Sequence, residues 1–228
     1  MELTYFGHSA FQLKTDDVTL LFDPFITGNP LAASVVKAED LNPDVILLTH
    51  AHGDHWGDTA PIALRTGALL VANYEICEYI KRNHNHPRVH AMNTGGSWTF
   101  DWGKVTFVQA THSSSFPDGT YGGCPNGLVL HIAGKCIYNL GDTGPFAEMA
   151  WIGEEHAIDV ALMPVGDCFT MGPQGAIRAA SLLKPKLSIP MHYNTFPPIE
   201  IDMPEWEGGM ADKGFETKVL APGETILL

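Results

Sequence analysis

The stretch of sequence that decides the fold covers residues 44–55 and reads DVILLTHAHGDH. Its first six residues are almost all apolar, which is typical of a short strand buried on both faces. Four potential metal ligands follow at once in the pattern H-x-H-x-D-H, namely His50, His52, Asp54 and His55. Imidazole nitrogen suits borderline divalent cations such as zinc, and a carboxylate adds a harder oxygen ligand. The alternative is a solvated, histidine-rich loop, which the buried strand directly before it disfavours.

The spacing separates these four side chains into two pairs. Alternate residues of a loop at the end of a strand can turn toward one point, so we expect His50 and His52 to share one ion. Asp54 and His55 come one step later, and we expect them to reach a second ion. The motif therefore predicts a site for two divalent cations at the carboxyl end of this strand.

Apolar runs separated by turn residues predict the remaining elements. Strands are expected at residues 11–14, 18–22, 44–49, 69–72, 97–100, 104–110, 128–132, 135–140, 159–164, 187–190 and 219–228. Helices are expected at residues 59–65, 74–83, 146–155 and 172–183. Each half of the chain begins with strands and then alternates strands with helices. This order predicts an α/β fold, a four-layer α/β/β/α sandwich, as one domain over residues 1–228.

The composition excludes several classes of protein. Among 228 residues, 13 Lys+Arg face 26 Asp+Glu, which gives a formal charge of −13. Binding to nucleic acid or to an anionic membrane surface needs clustered cations, so neither partner is expected. The 45% of hydrophobic residues argues against disorder. No apolar run approaches the ~20 residues of a membrane span, no signal-peptide pattern is visible, and no C-x-x-C pair occurs, which together predict a cytoplasmic protein.

The histidine motif resembles the signature of the metallo-β-lactamase superfamily of dinuclear metal hydrolases. Three further matches follow in the family's order: His112 in ATHSS, Asp142 in GDT and His192 in PMHYN. The resemblance implies that His112 completes the first ion's ligands and His192 those of the second. It also implies that Asp142 bridges both ions, and that the chain has the four-layer fold of the family.

A narrower resemblance is to the uncharacterised metal-dependent hydrolases related to L-ascorbate 6-phosphate lactonase. It is carried by Gly7-His8-Ser9, by Phe22-Asp23-Pro24, and by residues 166–172 and 191–197. It implies that His8 lies in the pocket, rather than on the surface. Asp23 is expected to accept a hydrogen bond from a ligand histidine, the alternative being an ordinary strand-end turn. Other residues expected near the pocket are Tyr193 and Asn194, toward an oxyanion or else in strand-end packing, and Asp167, Cys168, Thr170 and Met171 at its mouth.

The expected activity is hydrolysis. Two divalent ions, zinc by preference with Mn, Fe, Co or Ni as alternatives, would share a bridging water and lower its pKa, so that hydroxide forms near neutral pH. Asp54 would orient the hydroxide or collect its proton, and His8 and Asn194 are the other candidate catalytic residues. The expected partner is a small-molecule ester, lactone, amide or phosphoester, with a lean to ester or lactone. The sequence leaves a homo-oligomer open.

Two other functions could use the same residues. An iron-dependent redox enzyme of this fold is the first alternative, although di-iron redox relatives usually place a carboxylate where this chain has His52. A non-catalytic metal-binding module is the second. Loss of Asp54 or Asp142 would indicate such a module, and both are present.

Overall fold

The computed structural model describes residues 1–228 and places thirteen strands in two sheets. The strands are β1 (Glu2–Gly7), β2 (Ala10–Lys14), β3 (Thr19–Phe22), β4 (Val45–Leu47), β5 (Leu69–Asn73), β6 (Val89–Met92), β7 (Ser97–Phe100), β8 (Gly103–Gln109), β9 (Asn126–Ile132), β10 (Lys135–Asn139), β11 (Val160–Pro164), β12 (Leu187–Met191) and β13 (Thr225–Leu227). One sheet has the order β13-β1-β2-β3-β4-β5-β6 and the other has the order β12-β11-β10-β9-β8-β7.

Six α-helices connect these strands. They are α1 (Gly53–Trp56), α2 (Thr59–Thr66), α3 (Tyr74–His84), α4 (Met149–Glu155), α5 (Pro173–Leu183) and α6 (Met203–Asp212). None of them combines the length and the hydropathy that crossing a membrane would require.

The two sheets repeat one pattern of strand pairing. In the first sheet β1, β2 and β3 are antiparallel, and β3 to β6 then pair in parallel. In the second sheet β7 to β10 are antiparallel, and β10 to β12 pair in parallel. Parallel pairs need a crossover connection, which the helices supply. The expected order in each half, strands first and then strands alternating with helices, is confirmed.

Three apolar clusters define the layers. The largest lies between the sheets and includes Phe11 and Leu47 from one sheet and Phe107 from the other. A second cluster joins the outer face of the first sheet to α2 and α3 through residues such as Ile62 and Ile76. A third joins the other sheet to α4, α5 and α6. Helices therefore cover both sheets from outside, and the predicted α/β/β/α sandwich is confirmed.

Some elements differ from the sequence prediction. The histidine motif is not all loop, because α1 begins inside it at Gly53. The helix α6 was not predicted, since its sequence MPEWEGGMAD contains two helix-weakening glycines. Burial of Trp206 and Met210 holds this helix on α5 and the second sheet. The predicted strand 219–228 is reduced to β13, because a turn with Gly223 at a φ of 87° precedes it. Strands β1 and β6 were also missed.

The fold brings several polar residues to one edge of the sandwich. Each of them follows the end of a strand: His8 after β1, Asp23 after β3, His50 after β4, His112 after β8, Asp142 after β10 and His192 after β12. The strand ends of both sheets thus contribute to one cluster of side chains.

Candidate metal centre

The first half of the cluster consists of three histidines. His50 Nε2 lies 3.1 Å from His52 Nδ1, and His112 Nε2 lies 3.2 Å from the same nitrogen. Nitrogen ligands of one tetrahedral zinc ion lie about 3.3 Å apart, because each zinc–nitrogen bond is about 2.0 Å. The trio predicted for the first ion therefore has the spacing of ligands to one divalent cation.

The second half of the cluster surrounds Asp54. His192 Nε2 lies 3.5 Å from Asp54 Oδ2. One ring nitrogen each of His8 and His55 joins them, and these four ligand atoms all lie within 4.8 Å of one another. Asp54 and His55 are presented by the single turn of α1, while His192 follows β12 in the other sheet. The Asp54 side chain is 32% exposed, whereas the three imidazoles are almost fully buried. Asp54 is thus the accessible carboxylate of this half.

Asp142 lies between the two halves. Its Oδ2 is 3.0 Å from His192 Nε2, 3.5 Å from His112 Nε2 and 3.8 Å from His50 Nε2. Its Oδ1 is 3.2 Å from His55 Nε2. One carboxylate therefore contacts histidines of both halves, which is the position that the resemblance implied for a bridging ligand.

The chemistry of these donors fits bound metal. His55 Nε2, His192 Nε2 and Asp142 Oδ1 are buried, and despite the short distances to their neighbours none of them makes a hydrogen bond of acceptable geometry. Buried polar atoms are hydrogen-bonded in the great majority of cases, so three unpartnered atoms at one point require an explanation. Convergent imidazole and carboxylate atoms are the ligands that divalent cations take. The residues present therefore fit a metal ion, and the structure is consistent with two.

The charges within the cluster favour cations. Burial alone would raise the pKa of Asp142, but His192 and His55 hold it well below its usual value. Burial would lower the pKa of His192, yet Asp142 and Asp54 outweigh it and raise that pKa to about 9. By contrast, burial and the neighbouring His55 lower the pKa of His50 well below its usual value. In the second half the carboxylates thus favour positive charge. His50 in the first half is held neutral, which is the form in which histidine binds metals.

Asp23 fixes the orientation of His55. It is fully buried, and its Oδ2 accepts hydrogen bonds from His55 Nδ1 at 2.9 Å and from Thr49 Oγ1 at 2.8 Å. Its Oδ1 accepts from the Thr49 backbone N–H at 2.9 Å. When Nδ1 carries the proton, Nε2 of His55 is left with its lone pair toward Asp142, as a ligand requires. This contact is the one expected of Asp23 from the sequence.

His8 lies beside Asp54 in the second half. Burial and the nearby His192 lower the pKa of His8 to about 4, so its ring is neutral and carries one proton. That proton is assigned to Nε2, which donates to Asp54 Oδ2 at 3.1 Å, while Nδ1 lies 2.9 Å from Thr195 Oγ1. The His8 carbonyl also accepts from the His192 N–H at 2.8 Å. Thr195 was missed in the sequence, where only its place in MHYNTFP pointed to it.

The other residues predicted near the pocket form no side-chain hydrogen bond with the cluster. Asn194 is exposed, and its Oδ1 accepts from the Ile201 backbone N–H at 2.8 Å. Tyr193 packs in the core between the second sheet and its helices, and burial raises its pKa to about 12. Met171 is buried in that same core, while Asp167 and Cys168 are exposed in the loop after β11. The structure thus brings the seven predicted ligands and His8 together, and the roles of these other residues near the pocket stay predictions.

The chain is similar to known proteins over its full length. The model of a family described as beta-lactamase superfamily domain matches residues 2–192. The chain belongs to the metallo-β-lactamase superfamily. Within this superfamily, a UPF0173 metal-dependent hydrolase of Salinibacter ruber is 48% identical over the full length of both chains. Another, from Thermus thermophilus, is 46% identical over 100% of this chain and 99% of its own.

A solved structure of the superfamily is also similar. It is Igni18, described as a novel metallo hydrolase from the archaeon Ignicoccus hospitalis, with 40% identity and a TM-score of 0.88. The similarity covers 99% of this chain and 97% of that chain. The predicted superfamily, its fold and the class of metal-dependent hydrolase are confirmed. The closer relation to L-ascorbate 6-phosphate lactonase stays a prediction.

Proposed function

We propose that this metal-dependent hydrolase uses two divalent ions, zinc by preference, to cleave a small ester or lactone, and that residues 1–228 act as one domain. The observation that carries the proposal is the position of Asp142, which contacts histidines on both sides of the cluster. His50, His52 and His112 would hold the first ion. Asp54, His55 and His192 would hold the second. When bound, the pair of ions lowers the pKa of water and stabilises developing negative charge on the substrate.

Asp54 and His8 are proposed as the residues that handle the proton. Asp54 is the accessible carboxylate of the cluster, and it is proposed to orient the attacking water or to collect its proton. The His8 Nε2–H holds Asp54 Oδ2, and Thr195 fixes the His8 ring from its other side. His8 is therefore proposed to contact substrate or to position Asp54. Asn194, whose Oδ1 accepts from the Ile201 backbone N–H, is proposed to donate its side-chain N–H groups to the oxyanion.

The lean to an ester or lactone rests on two arguments. The first is the resemblance of the motifs around His8, Asp23 and His192 to the lactonase branch. The second is charge, because every ion pair of the cluster joins an aspartate to a histidine and none involves lysine or arginine. Phosphate groups are commonly bound by arginine or lysine. At the reacting position, a carboxylic ester or lactone therefore fits the cluster better than a phosphoester.

The test combines metal analysis with a panel of lactones, esters, amides and phosphodiesters. We expect His50→Ala and Asp54→Ala to lose bound metal and activity together. The exposed and remote His131→Ala serves as the control and should keep both. Full turnover by either of the first two variants would refute the proposal. One redox-active iron per chain, with no hydrolysis, would favour the iron-dependent redox alternative.

A further inference from the structure

Two phenyl rings adjoin the second half of the metal centre. The ring centroids of Phe25 and Phe196 each lie 5.7 Å from that of His8, and they lie 6.3 Å from each other. Phe196 is 36% exposed and Phe25 is partly buried, so this pair is open to a ligand. Because the His8 ring hydrogen-bonds Asp54, an apolar surface is only one side chain away from the accessible carboxylate.

The backbone under Phe25 is held in place by Asp58. Asp58 Oδ2 accepts from the N–H groups of Ile26 and Thr27 at 3.0 and 2.7 Å. The Asp58 N–H donates to the Pro24 carbonyl at 2.8 Å. Phe25 is therefore carried by a fixed turn after β3. A binding surface that is ordered before the ligand arrives loses less entropy on binding.

The backbone under Phe196 is held in a comparable way by Asn194. The Asn194 N–H donates to the Ile199 carbonyl at 2.8 Å, and its Oδ1 accepts from the Ile201 N–H. Phe196 comes from the loop after β12, in the other sheet from Phe25. Two separately fixed loops thus place two rings side by side.

The two rings themselves supply no charge to a substrate anion. Where lysine or arginine forms an ion pair in this chain, its partner is Glu78, Asp159 or Glu224, none of which belongs to the centre. A carboxylate or phosphate packed against the phenyl faces would lose hydration there, and the faces give it no compensating charge. Phenyl rings instead favour other aromatic groups in offset or edge-to-face contact.

We propose that Phe25 and Phe196 bind an aromatic part of the substrate while its scissile group faces Asp54. The enzyme then selects neutral, aryl-substituted substrates over those that carry a carboxylate or a phosphate on this part. This inference rests on the proposed function, because it assigns a substrate class to the same site. It adds two specificity-determining residues that are not metal ligands.

The first test compares ethyl acetate, ethyl phenylacetate and ethyl 4-carboxyphenylacetate, which share one leaving group. We expect kcat/KM to be about tenfold higher for phenylacetate than for acetate, since about one phenyl ring leaves water. The added carboxylate should remove this gain. In Phe25→Ala and Phe196→Ala the kcat/KM for ethyl phenylacetate divided by that for ethyl acetate should fall to about 2 or below. The control Phe100→Ala, in the outer strand β7, should keep the wild-type ratio. Equal kcat/KM values for all three esters in the wild type would overturn the proposal.

The second test does not depend on turnover. Binding of acetohydroxamate and phenylacetohydroxamate to the metal-loaded protein is measured by calorimetry, in the wild type and in the same variants. Tighter binding of the phenyl compound that is lost in Phe196→Ala supports the aromatic surface, even if no ester is cleaved and the lean to esters fails. Ester turnover with equal affinity for both hydroxamates overturns the aromatic surface and leaves the hydrolase proposal standing.

Discussion

Replacing Asp23 by asparagine should weaken metal binding in the second half of the metal centre. The buried Asp23 carboxylate accepts three hydrogen bonds, two from Thr49 and one from His55 Nδ1. An asparagine can keep its oxygen on the Thr49 N–H, but its NH₂ group then points at His55 Nδ1. Two donors cannot face each other, so His55 must move its proton to Nε2. Nε2 is the nitrogen that faces Asp142 and would bind the second ion.

The size of the effect follows from the contacts that change. Loss of the partner that orients a ligand histidine typically weakens metal binding by about 10- to 100-fold. We expect the larger loss for the second ion, because His55 contacts Asp23 directly, whereas His50 is connected to it only through the Thr49 hydroxyl, 3.0 Å from His50 Nδ1. The free energy of unfolding should also fall, by about 1.5–3 kcal/mol, since a buried hydrogen bond to a charged group is removed.

The assay is a competition titration of each ion with a chelator, combined with denaturant unfolding. Asp159→Asn is the matched control, because Asp159 also accepts a backbone N–H, from Cys136 at 2.8 Å, but contacts no residue of the centre. This control should lose stability and keep both metal affinities. Wild-type affinity for both ions in Asp23→Asn, or an equal loss for both, would refute the tautomer argument.

Three further results are expected. In Gly166→Ala the new Cβ would overlap the His192 carbonyl oxygen, so the strand end must shift. Both stability and second-ion affinity should then fall, as measured by unfolding and chelator competition. Metal affinity should rise with pH from about 7 to 9. The pKa of His192 is raised to about 9, so below that pH the metal must displace a proton from the His192 ring. A pH-independent affinity would contradict this expectation. Chelation should lower the melting temperature, since ions at 1,000 times their Kd stabilise the folded state by about 4 kcal/mol, and an unchanged melting temperature would contradict this.

Sequence periodicity predicted the elements whose burial pattern is simple. The strand before His50 is buried on both faces, and its apolar run showed this directly. The helix α6 could not be predicted, because the Trp206 packing that holds it comes from α5 and the second sheet, far away in the chain. Local propensity carries no information on such contacts, and tertiary packing supplies most of the stability of a short helix.

The ligands were predictable for a different reason. Four of them stand within six residues, and the others are single His or Asp residues directly after predicted strands. The residues that support the ligands had no such signal. Thr195 contacts His8 across 187 positions of sequence, and the pair of Phe25 and Phe196 is formed by loops of different sheets. Pairwise contacts of this kind follow from the packing of the two sheets, so neither sequence segment alone predicts them.

The backbone at the centre explains why the sandwich must form first. His8, Asp23 and His192 have φ values of 61°, 41° and 55°, in the left-handed region that costs a non-glycine residue about 1–2 kcal/mol. Contacts from elsewhere hold each of them: the Asp23 side chain bonds to Thr49 and His55, and the His192 N–H donates to the His8 carbonyl across the two sheets. Since neither sheet contains both partners of this last bond, an isolated half of the chain would relax these residues. The metal centre is therefore a product of the assembled sandwich, and mutations in the core between the sheets should weaken metal binding without touching a ligand.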